Sequence, residues 1–87
     1  MSALTHEQAE DLLRAAETLR DNARTSFGAA LDATNPDAAS VLCDAADTYA
    51  RQANAVCAAM RALGIRGVTP DFSADDFERM RRARGER

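Results

Sequence analysis

The chain has no tryptophan and no lysine, and only four aromatic residues: Phe27, Tyr49, Phe72 and Phe77. A deep core is therefore out of reach, because each side chain contributes in proportion to the apolar area it removes from water, about 25 cal/mol per Å². Cys43 and Cys57 stand fourteen positions apart, which on one helix is ~21 Å and excludes a disulfide within the chain. Two small buried thiols are the expectation, with an intermolecular bridge or a reactive thiol as the alternatives. The single histidine, His6, has Glu10 four positions on, but nothing near it supplies further ligands. Neither C-x-x-C nor paired E-x-x-H spacing occurs, so no metal and no cofactor are expected. A phosphate-cradling loop is also missing, since Gly64-Ile65-Arg66-Gly67 follows a helix pattern rather than a strand. No run approaches the ~20 apolar residues that cross a bilayer. Thr5 to Asp11 is polar where a secretion signal needs an apolar stretch, so a cytoplasmic protein without membrane contact is expected.

What is present is alanine, which makes up half of the apolar residues. At 87 residues the chain has room for one domain, and domains of this size often need a partner to complete them. Charge is uneven: residues 1–60 carry four arginines against nine acidic residues, residues 61–87 seven against five. All basic residues being arginine, together with the alanine excess, points to a GC-rich bacterial or phage coding genome.

Periodicity gives an all-α fold. Thr5 and Gln8 have the spacing of a capping box that starts helix 1. Ala9, Leu12, Ala16, Leu19, Ala23, Phe27 and Ala30 then recur at steps of three and four, so helix 1 is expected over about 6–33. Gly28 costs such a helix ~1 kcal/mol relative to alanine, and is read as a kink or a close-packing point within it. Thr34-Asn35-Pro36-Asp37 is the clearest punctuation, with Asn35 as cap and proline at the first helical position. A link this short makes helices 1 and 2 antiparallel neighbours.

Helix 2, about 36–63, shows a stripe of Ala38, Leu42, Ala45, Tyr49, Ala53, Val56, Met60 and Leu63. Beside it runs a small-residue flank of Cys43, Ala46, Ala50 and Cys57. This apolar surface is wider than one opposing helix needs. A second cover is expected, either helix 3 or a second copy forming a dimeric four-helix bundle, with Leu42, Ala46, Tyr49, Ala53, Val56, Cys57 and Met60 as interface candidates. Gly64 suits the left-handed position after the helix, with Ile65 reaching back to Met60. A linker over 64–72 carries Ile65, Val68 and Phe72, apolar enough to lie against the hairpin. Ser73 and Asp76 form a second capping box, and Phe72 with Phe77 has staple spacing, so helix 3 is expected over about 74–84. Its polar end, Arg79 to Arg87, is expected to fray.

Functional constellations are scarce. Asp44, Asp47 and Arg51 share a water-facing stripe, and Arg14, Arg20, Arg24 and Arg51 all fall on outer faces. A small helical enzyme of the chorismate mutase kind needs basic residues on its apolar stripes, so catalysis is not expected. A helical hairpin of this size resembles the small secreted proteins with a W-x-G turn, but the segment between these helices is Ala-Thr-Asn-Pro and the motif is absent. The reading is a non-enzymatic interaction module, an adaptor or modulator from a phage or mobile element that binds a host protein. The alternative is a DNA- or RNA-associated regulator using Arg79, Arg81, Arg82 and Arg84. Against it, Asp75–Arg79 and Glu78–Arg82 are supporting pairs at i,i+4, and no aromatic residue interleaves the arginines for base stacking.

Overall fold

The computed structural model describes residues 4–68 and 72–85, which form three helices and no strand: α1 (His6–Asp32), α2 (Pro36–Ala62) and α3 (Ala74–Ala83). Linker residues 69–71 and the tail residues Glu86 and Arg87 lie outside the described residues. Helices α1 and α2 pack along their length as an antiparallel hairpin, and α3 lies mainly on α2 and lightly on α1.

Each boundary has a local cause. At the start of α1, Thr5 Oγ1 accepts from the Gln8 amide at 3.0 Å while Gln8 Oε1 accepts from the Thr5 amide at 3.0 Å. The Asn35 side chain accepts from the Asp37 and Ala38 amides at 2.8 and 3.3 Å, satisfying donors that the first turn of α2 would otherwise leave orphaned. Helix α2 ends in a Schellman arrangement. The Ile65 amide donates to Met60 O and the Gly64 amide to Arg61 O, both at 3.0 Å, with Gly64 at φ 89°. For α3, the Ser73 amide donates to Asp76 Oδ2 at 2.8 Å, and the Phe72 and Phe77 rings meet at 6.5 Å between centroids.

Two expectations are corrected. The helix does continue through Gly28, but the glycine is not a close-packing point, because a Cβ built there would meet nothing within 4 Å. The hairpin seam is also displaced from the expected stripe of α2. The buried line joins the small-residue flank, Cys43, Ala46, Ala50 and Cys57, to Ala53 and Met60 of that stripe, facing Ala16, Ala23 and Ala30 of α1. Ala38 and Leu63 are exposed, and Leu42, Ala45, Tyr49 and Val56 are only half-buried. Small residues at steps of three and four let the two backbones approach closely, while the larger side chains wrap the sides of the contact rather than filling its centre.

The core divides in two. Ala23, Ala46, Ala50 and Ala53 cluster with Phe72 and Met80 from the α3 region, and with half-buried Leu19, Phe27, Tyr49 and Phe77. Ala16, Cys57 and Met60 form a second group with Leu12, Val56, Ile65 and Val68. The linker therefore closes one end of the hairpin and α3 covers its middle.

Candidate functional site

Helical geometry sorts the remaining surface into two unlike sides. Taking Ala23 and Ala50 as the seam centres and about 100° per residue, Arg20, Arg24 and Phe27 of α1 and Asp47, Arg51 and Asn54 of α2 turn to one side. This is the side on which α3 sits. Arg24 and Phe27 share a cavity with Phe72, Asp76 and Met80, and Asp47 and Arg51 share another with Phe77 and Met80.

The contacts holding α3 are specific. Asn54 grips the main chain of Phe72 in both directions: Nδ2 donates to Phe72 O at 2.9 Å, and Oδ1 accepts from the Phe72 amide at 3.3 Å. The Arg24 guanidinium lies 6.0 Å from the Phe72 ring centroid and that of Arg51 4.8 Å from the Phe77 ring, both within cation–π range. Arg51 is itself aimed by Asp47, which accepts from its Nε at 2.9 Å and holds the guanidinium above its ordinary pKa. At the far end Arg84 Nη1 donates to Asp44 Oδ1 at 2.5 Å.

The four arginines singled out in the C-terminal helix all face carboxylates. Arg79 lies 3.7 Å from Asp76, Arg81 and Arg82 lie 3.2 and 3.5 Å from Glu78, and Arg84 pairs with Asp44 across the α2–α3 contact. Local pairing offsets the positive field that phosphate binding draws on. His6 Nε2 lies 3.0 Å from Glu10 on the exposed start of α1, and no group of three His, Cys, Asp or Glu is placed to hold a metal ion among the described residues. Cys43 and Cys57 are both buried. Burial pushes the Cys43 thiol up, Asp44 adds to the shift and Arg84 opposes it, the reverse of what an activated thiolate needs.

Asp76 carries a testable pH signature. Its hydrogen bond from the Ser73 amide, more than its side-chain bond to Ser73 or the nearby Arg79 and Arg24, holds the carboxyl below its ordinary value. A carboxyl depressed in the folded state stabilises it fully above the unfolded pKa of about 3.9, and that contribution is lost as pH falls through the lower folded value. Amide protection of Phe77 to Met80 is therefore expected to stay flat down to about pH 4 and to fall below it, with Asp76→Asn flattening the step. A midpoint at or above the ordinary aspartate value would contradict this account.

The other side of the hairpin is chemically blank. On it, α1 presents Gln8, Leu12, Ala15, Leu19, Asn22, Ser26 and Ala33, with Asp11 at its outer margin, and α2 presents Ala38, Leu42, Ala45, Tyr49, Val56 and Leu63. No charged residue lies within roughly 100° of the seam on this side of either helix. Of the interface candidates, Leu42, Tyr49 and Val56 belong here and keep partial exposure, whereas Ala46, Ala53, Cys57 and Met60 are taken up by contacts within the chain. Large aliphatic chains also stand out at both ends of the hairpin: Leu31 and Val41, 63% and 67% exposed, near the turn, and Leu13 and Leu63, 47% and 57%, at the open end. Near the latter, but turned to the α3 side, Ala9, Leu13, Met60, Ile65 and Val68 line a largely apolar groove of about 290 Å³ together with His6, Glu10 and Arg66.

The alternation of small residues along α2 was visible in the sequence, but the role of Asn54 was not, since a lone asparagine on a helix face gives no signal of the main chain it will meet. No helix among the described residues is long and apolar enough to cross a membrane. Comparison with family models, with curated proteins and with solved structures returns no significant match for this chain.

Proposed function

We propose that the chain is a small non-enzymatic protein–protein interaction module that pairs with a second copy through the blank side of its hairpin. The pair would form a four-helix bundle with the two α3 helices outside. The observation that carries this reading is the separation of charge. Charged side chains gather on the side that α3 occupies, while the opposite side is mostly alanine, leucine, valine and tyrosine, with Gln8, Asn22 and Ser26 as its polar residues and no ionised group near the seam.

Size supports it. Helices of 27 residues are ~40 Å long, and the molecule is 18–20 Å across. The face thus offers on the order of 700–800 Å², close to the ~800 Å² per partner of a standard protein interface. Alanines at positions 15, 38 and 45 leave room for a second pair of helices to approach, and Leu42, Tyr49 and Val56, covered on one flank only, gain the rest of their burial there.

Light scattering across a dilution series tests the pairing. The expected mass is twice the 9.4 kDa of one chain at micromolar concentration. The double variant Leu42→Asp/Ala45→Asp places like charges across a symmetric contact and is expected to weaken association by roughly a hundredfold or more while leaving helical circular dichroism unchanged. A folded wild-type monomer throughout the series would end this reading.

A further inference from the structure

Helix α3 is a light element on a well-equipped seat. Of its ten residues only Met80 is buried, with Phe77 half-buried and Phe72 buried just ahead of it. A helix this short is marginal by itself in water. Its holds on the hairpin are side-chain contacts: Asn54 on the Phe72 main chain, Arg24 and Arg51 on the two rings, Asp44 on Arg84, over a floor of Ala23, Ala46, Ala50 and Ala53. These holds read a pattern, Phe-x4-Phe-x2-Met-x3-Arg, and nothing in them requires the pattern to be joined to α2. The described part of the joining segment holds Gly64 and Gly67 at positive φ, where a side chain would be strained, and its Ile65 and Val68 pack beside Met60 rather than on the seat of α3.

We propose that this seat is a helix-binding groove that α3 occupies in cis, and that it receives in trans an amphipathic helix of a partner protein bearing the same pattern. Helix α3 is then an autoinhibitory occupant. A short tether gives it an effective concentration on the order of millimolar, so an incoming helix meets a groove that is free only part of the time and binds with proportionally reduced affinity. Charge sets the direction of entry. Asp44 marks where the basic end of the incoming helix must lie, and Asn54 marks the extended residue before its cap.

The proposal rests on the chain being an interaction module, but not on its pairing with a second copy, which uses the opposite side. The probe is a labelled synthetic peptide of residues 72–85, titrated into full-length wild type and into full-length Phe77→Ala/Met80→Ala, which loosens the tethered helix and leaves the groove intact. The peptide is expected to bind the variant at least about tenfold more tightly than wild type, with NMR shifts at Ala46, Ala50 and Asn54. Adding Asn54→Asp, which keeps the size but loses the amide donor, is expected to weaken that binding. Equal affinity for both proteins, no saturable binding, or collapse of the hairpin in the variant would each overturn the proposal. Light scattering on the same samples reports the pairing separately, so failure of one reading is distinguishable from failure of the other.

Discussion

Truncating Met60 to alanine is expected to destabilise the fold by about 2–5 kcal/mol, the range for emptying a fully buried methionine position. Met60 is one of the two largest side chains that are fully enclosed, and it joins α2 to α1 through Ala16 and to the linker through Ile65 and Val68. Neighbours such as Ala16 and Cys57 are too small to swing into the space, so the cavity should persist. Its backbone is tied as well, because Met60 O accepts from the Ile65 amide in the turn that ends α2. Urea melts at several protein concentrations separate a core role from an interface role. A core loss keeps its size on dilution, whereas an interface loss shrinks as the pair dissociates. A change under ~1 kcal/mol would show that the linker does not close over this residue.

The helices and their ends were legible because each rests on a local rule. Thr5 with Gln8, Asn35 before Pro36, Gly64 before Ile65 and Ser73 with Asp76 each satisfy orphaned backbone groups within a few residues, and such contacts are set by spacing alone. The rotation of α2 about its axis was not legible. Two apolar lines lay side by side on it, and a count of hydrophobic size favours the one with Leu42, Tyr49 and Val56. Tertiary packing centred on the smaller one and took in only Ala53 and Met60 of the other, because alanine facing alanine brings backbones together and adds dispersion contacts that bulky residues at the centre would prevent. The seat of α3 was half legible. Phe72 and Phe77 showed that a capped helix would start there, but where it lands depends on Asn54, Arg24, Arg51 and Asp44, which belong to a different stretch of chain and have no spacing in common with it.

That choice of seam is open to a direct trial at Ala50, which is fully buried and flanked by fully buried Ala46 and Ala53. Leucine there adds three carbons where α1 and α2 meet through methyl groups, and neither backbone can yield locally without moving a whole helix. The expected cost of Ala50→Leu is about 1–3 kcal/mol, the usual range for overpacking, toward its upper end because the strain is shared along the contact. The same substitution at Ala55, exposed on the outer face of α2, is expected to stay within about 0.5 kcal/mol. Adding Ala23→Leu on α1 distinguishes a seam from an ordinary core position. If the first leucine has already forced the helices apart, the second enters space that now exists, and the double variant should cost less than the two singles together, a coupling of about 0.5–3 kcal/mol in a double-mutant cycle. Full additivity, or an Ala50→Leu protein as stable as wild type, would mean that the helices are not held at alanine distance.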